Sequence, residues 1–131
     1  MELRIIHFYP DLMSLYGSYA NVSVLKRALE RMGHTVTVES VEPGQSADLA
    51  GADFLFMGAG TERAQKAALA DFLLHYGNDI RELAAKGTPM LFAGNSMELL
   101  GKSITDTEGH AKSGSANFIT NSFERSAVLC T

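Results

Sequence analysis

The feature that most constrains the fold is a short, predominantly apolar run that ends in a glycine, which occurs twice in this chain. Residues 53–57 run into Gly58-Ala59-Gly60-Thr61, and residues 89–93 run into Gly94-Asn95-Ser96. A run without polar alternation is typical of a strand that is buried on both faces, as in a parallel sheet. The two runs therefore predict central parallel strands, each of which leads directly into a helix.

Further strands and helices alternate around these two runs. Residues 3–8 predict a strand that stops at Pro10, because proline donates no ladder hydrogen bond. Residues 18–32 predict a helix with one apolar face, and residues 35–41 predict a second strand near the sheet edge. Strands that alternate with helices predict an α/β fold, a three-layer sandwich around a mainly parallel, flavodoxin-like sheet.

The segment after the first glycine loop predicts two helices. Thr61 is a suitable N-cap, since its hydroxyl can accept a hydrogen bond from the first turn. We expect this helix to break near Gly77-Asn78 and a second helical stretch to cover residues 79–86. A short helix is also expected to open at residues 94–96.

The length suits a single domain over residues 1–131. The pattern weakens after Gly101: residues 106–109 predict a turn, and the tail from about residue 111 has only loose apolar spacing. With four clear strands, the sheet has fewer than the average of about five or six. We therefore expect a domain truncated at its C-terminus, with an open sheet edge that favours self-association.

Charge and composition exclude several classes of partner. The net charge is −4 and the 11 Lys and Arg residues are scattered, so nucleic acid is not an expected partner. The apolar runs are far shorter than the roughly 20 residues that span a bilayer, so no membrane is expected either. The single cysteine, Cys130, suits a reducing compartment, and the sequence opens without a secretory leader. Together these features predict a cytoplasmic protein.

Three segments are expected at the carboxyl edge of the sheet, where open parallel sheets bind ligands: residues 9–17, 58–65 and 94–98. The glycine loop at residues 58–60 lets backbone N–H groups approach an anion or oxyanion closely. Glycine serves a tight strand-to-helix turn equally well, and no nucleotide fingerprint is complete. We expect no cofactor and no metal.

Few residues could supply a nucleophile at this edge. The junction at Gly94 has the shape of a nucleophile elbow, but the projecting residue is glycine. Ser96 is two residues further on and is interpreted as a cap or first-turn residue, since no base can be placed beside it. Cys130 is not interpreted as the nucleophile, because it lies near the C-terminus and not at the Gly94 junction. Among the 4 histidines, His7 alone is kept as a site candidate, because it lies on the first strand beside the crevice.

The three edge segments resemble the motifs of one family. Residues 9–21 match a Tyr-Pro-Asp-Leu-x-x-x-Tyr-Gly-x-x-x-Asn block, and residues 58–65 match a Gly-Gly-Gly-x-x-Arg-x-Gln loop with one change. Residues 94–101 align with a Cys-Gly-Gly-Tyr-Gln-Leu-Leu-Gly elbow. These motifs are similar to those of class I glutamine amidotransferases of the cobyric acid synthase type, in particular the glutaminase subunits of bacterial lipid II isoglutaminyl synthases. The likeness spans roughly residues 2–110.

The resemblance implies a glutamine-hydrolysing domain that supplies ammonia to an amidating ligase. In this family a cysteine thiolate attacks the glutamine carboxamide, a downstream histidine acts as base, and backbone amides stabilise the oxyanion. The implied ligand is glutamine, and the implied partner is a Mur-ligase-like ATP-dependent subunit. By position, the substrate-binding and oxyanion residues would be Gly58, Ala59, Gly60, Arg63, Gln65, Asn95 and Glu98.

The elbow departs from the family pattern where the chemistry lies. The family's cysteine falls on Gly94, its two glycines fall on Asn95 and Ser96, and its glutamine falls on Glu98. No histidine in this sequence matches the family's base, whose region would lie past residue 131. We therefore expect a catalytically inactive domain with no catalytic residue intact.

Three functional hypotheses remain open. The first is a non-hydrolytic amidotransferase-like module that retains the fold and a partner surface. The second is an enzyme of the family that uses a different nucleophile or forms part of a longer chain. The third is a flavodoxin-like domain that binds a small anion at residues 58–61.

Overall fold

The computed structural model describes residues 1–100 in full and, beyond them, the backbone of three short strands at residues 103–105, 111–113 and 123–124. The predicted turn at residues 106–109 is outside this described part, as are His110 and Cys130.

Four strands form the main sheet: β1 (Glu2–Phe8), β2 (Thr35–Val41), β3 (Phe54–Met57) and β4 (Met90–Phe92). Their order is β2-β1-β3-β4, and all three neighbouring pairs are parallel. The predicted parallel strands are therefore confirmed, and β2 lies at an edge as predicted. Because the strand order reverses between β1 and β3, the carboxyl ends of these two strands flank the topological switch point of a flavodoxin-like sheet.

Two long helices cover opposite faces of this sheet, α1 (Ala20–Arg31) and α2 (Glu62–Ala85). Alternate residues of β1 point to the two sides, so that Ile5 packs in the core under α1 and Ile6 in the core under α2. The second core is the larger of the two, and its aromatic members include Phe8, Phe72, Tyr76 and Phe92. The three-layer architecture predicted from the sequence is confirmed.

The predicted helix break near Gly77-Asn78 is wrong, because α2 continues without interruption from Glu62 to Ala85. Glycine inside a helix costs roughly 1 kcal/mol relative to alanine. Tyr76 and Ile80, which flank this position, are both almost completely buried against the sheet. Burial of each such side chain contributes about 1.5–3 kcal/mol, which exceeds the cost of the glycine. The predicted N-cap is confirmed, since Thr61 Oγ1 accepts a hydrogen bond from Ala64 N at 3.1 Å.

Beyond β4 the chain enters a 3₁₀ helix, Gly94–Leu100, which we call the elbow helix. A separate three-stranded sheet follows, made of β5 (Ser103–Thr105), β6 (Ala111–Ser113) and β7 (Phe123–Glu124) in the order β6-β5-β7. Strand β5 pairs antiparallel with β6 and parallel with β7. The sequence pattern predicts no such sheet.

Tyr9 anchors the end of β1 to α2. Its side chain is fully buried, and its hydroxyl donates a short hydrogen bond to Asp71 Oδ2. Asp71 Oδ1 also accepts from Gly44 N at 2.8 Å, so this one carboxylate joins two loops to the helix. The pKa of the Tyr9 hydroxyl is raised, mainly by burial and to a smaller extent by the hydrogen bond to Asp71. The backbone of Tyr9 has a φ of 54°, an uncommon conformation for a bulky residue.

Acidification should destabilise the fold through His7, which is buried and whose Nε2 has no hydrogen-bond partner. Burial lowers the pKa of His7 below its usual 6.5. The unfolded chain therefore binds the proton first, and the free energy of unfolding should fall as the pH drops below about 6.5. In His7→Leu this part of the pH dependence should disappear, as measured by urea unfolding at about pH 7.5 and about pH 5.

The matched control is His34→Gln, which changes a partly buried histidine outside both cores and should retain the dependence. An unchanged pH dependence in His7→Leu would contradict this assignment.

Candidate functional site

The segment after β1 reaches across the switch point and fixes the glycine loop that follows β3. Leu15 N donates to the Ala59 carbonyl oxygen at 2.8 Å, which forms an isolated antiparallel bridge. On the other side of the same residue, Ala59 N donates to Ser18 Oγ at 3.3 Å. The loop is therefore held through both backbone groups of Ala59.

Gly58 is required at the start of this loop by the close approach of the first segment. A Cβ at Gly58 would lie 2.5 Å from the Met13 carbonyl oxygen and 2.6 Å from the Ser18 Cβ. Neither atom is the free end of a flexible side chain, so any larger residue would push the two segments apart. The glycine in this motif thus serves packing between the two loops.

The glycine loop and the elbow come together at the carboxyl edge of the sheet. Gly60 N donates to Asn95 Oδ1 at 3.0 Å, and Asn95 Nδ2 donates to the Gly60 carbonyl oxygen at 2.6 Å. One side-chain amide thus satisfies both backbone groups of one loop residue, an arrangement that we call the Asn95 clamp. The prediction that residues 58–61 and 94–96 meet at one end of the sheet is confirmed.

Gln65 extends this network from the first turns of α2. Its side chain is buried, and its Nε2 lies 2.8 Å from the Asn95 carbonyl oxygen and 2.8 Å from Glu98 Oε2. Gln65, Asn95 and Glu98 therefore form one hydrogen-bonded group with the glycine loop. Arg63, also predicted at the site, is exposed on the first turn of α2.

The elbow keeps its sharp turn although its central residue has no side chain. Gly94 is separated from β4 by Ala93 alone and has a φ of +60°, in the left-handed region that glycine adopts without steric cost. Nucleophile elbows hold their nucleophile in a strained strand-to-helix turn of this kind. The backbone at Gly94 therefore has the shape of an elbow, and the position carries no group that can attack a carbonyl.

Ser96 contributes to the packing of the elbow helix. It is fully buried, and its hydroxyl lies 2.7 Å from the Ala93 carbonyl oxygen and 3.1 Å from the Met57 carbonyl oxygen. The single hydroxyl proton is thus shared between the carbonyl oxygens of the last residue of β3 and of the residue after β4, which joins the two strands beneath the elbow. The structural interpretation of Ser96 agrees with these contacts.

His7 lies apart from this group. Its ring packs edge-on against Phe56 at 5.1 Å between centroids, within the α1 side of the sheet. It lines a cavity of about 580 Å³ together with Asp11, Ser23 and Lys26. None of the loop and elbow residues lines this cavity.

Two of the backbone donors of the loop are engaged within the protein. The amides of Ala59 and Gly60 donate to Ser18 and Asn95, as described above. An oxyanion site needs donors that point at the position of the developing charge. Ser18 was not singled out from the sequence, although its place in the 9–21 block is a signal that could have identified it.

Within residues 1–100, no group of three or more His, Cys, Asp or Glu side chains is placed to hold a metal ion. Among the helices of the described part, none has the length and apolar character needed to cross a membrane.

The Asn95 clamp should be a main source of stability at this edge. Asn95→Ala leaves the partly buried N–H and C=O of Gly60 without their partners, which typically costs about 1–3 kcal/mol. Thermal unfolding should show a decrease in Tm of roughly 4 °C per kcal/mol for a domain of this size. The control Asn78→Ala, at an exposed position of α2, should leave the Tm nearly unchanged. Equal Tm values for the two variants would contradict the clamp.

Comparison with known proteins assigns the family. The sequence profile of the CobB/CobQ-like glutamine amidotransferase domain matches residues 4–120 of the chain. Two curated relatives are subunits named lipid II isoglutaminyl synthase (glutamine-hydrolyzing) subunit GatD. The Staphylococcus aureus (strain N315) protein is 26% identical over 108 residues, which is 82% of this chain and 44% of the relative. The Streptococcus pneumoniae (strain ATCC BAA-255 / R6) protein is 30% identical over 108 residues, 82% of this chain and 41% of the relative.

The chain therefore spans less than half the length of these two relatives. The profile match, in contrast, covers most of the 131 residues and includes most of β1, all of β2 to β4, the glycine loop and the elbow. The α/β fold with its parallel sheet is the one expected for this family. On this coverage, the chain belongs to the CobB/CobQ-like glutamine amidotransferase family.

Proposed function

We propose that this chain is a non-hydrolytic glutamine amidotransferase-like module that acts through a partner ligase. The observation that carries the proposal is Gly94, which occupies the turn of the elbow with a φ of +60° and has no side chain. In nucleophilic amide hydrolysis the attacking group must reach the carbonyl carbon. The base activates that group, and the oxyanion donors stabilise the intermediate that it forms. Without the nucleophile, the rest of such a site has nothing to activate.

The hydrogen bonds of the glycine loop support the same proposal. The Gly60 amide donates to Asn95 at 3.0 Å, so it is not available to a substrate carbonyl unless the Asn95 clamp opens. Opening the clamp would leave two polar backbone groups unpaired, at a cost of about 1–3 kcal/mol. The hydrogen bonds donated by the Ala59 and Gly60 amides argue against the alternative function, a flavodoxin-like site for a small anion at residues 58–61, since such a site also needs free amides.

The partner that we propose is a Mur-ligase-like ATP-dependent subunit. Both curated relatives are named as subunits of a lipid II isoglutaminyl synthase, and the proposal extends this arrangement to the present chain. An exposed aromatic residue at the switch point offers a contact. Tyr16 is 77% exposed and has a φ of 60°, a conformation that costs a side chain with a Cβ roughly 1–2 kcal/mol. Bulky residues held in this way are typical of functional positions, and tyrosine is common in interface hot spots.

The chain should release no ammonia from glutamine, and neither should Gly94→Cys. Loss of the nucleophile from the catalytic unit of a serine protease lowers the rate on the order of 10⁶-fold. The base then has no group to activate, and the oxyanion donors have no intermediate to stabilise. Restoring a thiol supplies one member of the unit and leaves the thioester without a base. The measurement is ammonia release in a coupled glutamate dehydrogenase assay, with Cys130→Ser as control.

Two results would contradict this expectation. Release by the unmodified chain that is lost in Cys130→Ser would identify the C-terminal cysteine as the nucleophile. Release that survives in Cys130→Ser would indicate Ser96 or another group, and either result would exclude a non-hydrolytic module.

The partner proposal predicts a complex that depends on Tyr16. The chain should co-elute with the Mur-ligase-like protein encoded nearest to it, and Tyr16→Ala should weaken the complex at least about tenfold, which corresponds to about 1.4 kcal/mol. The control Met32→Ala removes a side chain that is 71% exposed where α1 ends, at the opposite edge of the sheet. Affinities by isothermal titration calorimetry that are equal for the two variants, or a lack of any complex, would overturn this proposal.

A further inference from the structure

Gly94 faces a methyl group that fills the space above it. A Cβ built on Gly94 would lie 2.7 Å from the Cβ of Ala59 and 3.7 Å from its Cα. Non-bonded carbon atoms are in favourable contact at about 3.5–4.0 Å, so the first of these distances is a severe overlap. Ala59 has no rotatable side chain, and the overlap can therefore be relieved only by movement of the backbone.

The backbone at Ala59 is held on every side. Its carbonyl oxygen accepts from Leu15 N at 2.8 Å, and its N–H donates to Ser18 Oγ at 3.3 Å. The next residue, Gly60, is bound by the Asn95 clamp through both its backbone groups. Retreat of the loop from Gly94 would break at least one of these hydrogen bonds.

From this geometry we infer that Ala59 is the residue that determines whether the elbow can carry a side chain. The methyl of Ala59 occupies the volume that a Cβ at position 94 would need. An alanine at position 59 therefore requires a glycine at position 94. The two residues are also two of the positions at which the chain departs from the family's motifs, in the glycine loop and in the elbow. We interpret them as one coupled change that closes the site, and Asn95 as the group that fastens the closed loop.

This inference deepens the proposed function and rests on it only for the identity of the elbow. It has a direct consequence for restoring the family's nucleophile. In Gly94→Cys the new Cβ would overlap the Ala59 methyl, and the cysteine would adopt a left-handed backbone conformation. Both the stability of the fold and the access of reagents to the thiol should therefore decrease. Ala59→Gly should recover access to the thiol and the part of the stability that the overlap costs, because it removes the Ala59 Cβ and leaves the backbone hydrogen bonds of the loop in place.

The first test uses stability. Gly94→Ala adds a single methyl, and Gly87→Ala is its matched control: Gly87 also has a left-handed φ, of +84°, but a Cβ there meets nothing within 4 Å. Gly94→Ala should lower the Tm by roughly 4–10 °C more than Gly87→Ala does, because only the methyl at position 94 overlaps a neighbouring group. Combination with Ala59→Gly should remove this excess for Gly94→Ala and should not improve Gly87→Ala. Equal losses for the two single variants, or a lack of rescue, would overturn the inference.

The second test uses the introduced thiol in a Cys130→Ser background, where it is the only thiol in the chain. Alkylation by iodoacetamide should be at least about tenfold faster in Ala59→Gly/Gly94→Cys than in Gly94→Cys alone, since reaction needs access as well as thiolate. Equal rates would show that Ala59 does not cover the elbow.

These two readouts do not involve glutamine. Ammonia release by the unmodified chain would therefore refute the proposed function and leave the coupling of Ala59 with Gly94 to be decided by the Tm values and alkylation rates.

Discussion

Parallel hydrogen bonding between β1 and β3 sets the position of every other element at the site. The register pairs Ile5 with Phe54 and Phe8 with Met57, so the two strands end together and their following segments leave the same edge of the sheet. One segment then crosses to the other, and its close approach requires Gly58. Strand β4 adds the elbow beside them through its own parallel pairing with β3. Buried strands of this kind have a fixed register, because a slip of one residue would exchange the two cores.

The edge that results is closed by short-range contacts. The Asn95 clamp ties the glycine loop to the elbow, Gln65 joins both to α2, and Ser96 holds β3 and β4 beneath them. A catalytic oxyanion site keeps its donors free and accepts the cost of doing so. In this chain the amides of Ala59 and Gly60 donate to Ser18 and Asn95, an arrangement that stabilises the edge. Three departures from the family's motifs, at residues 59, 94 and 95, lie together where the glycine loop meets the elbow.

The strands and their topology could be predicted because they follow from hydrophobic pattern and turn residues. Residues 53–57 and 89–93 identified β3 and β4, and Thr61 identified the start of α2. The break at Gly77 was predicted wrongly, since local propensity there is outweighed by burial of Tyr76 and Ile80, which depends on tertiary packing. The small sheet after the elbow helix has strands of two or three residues, too short for a periodic pattern to show.

The site was predictable in its location but not in its contacts. Motif positions and the rule for parallel sheets brought residues 58–61 and 94–96 to one edge. No sequence pattern shows that the Asn95 side chain turns back onto Gly60, or that Ala59 points at Gly94, because both depend on distances of a few ångströms between segments 35 residues apart.

The Gly60 amide reports on the closed loop most directly. In ¹⁵N NMR, we expect slow hydrogen exchange at the Gly60 amide and no change in its resonance when glutamine is added at millimolar concentration. Fast exchange at Gly60, or a saturable shift of its resonance with glutamine, would show that the loop opens to substrate and would contradict a closed, non-hydrolytic site.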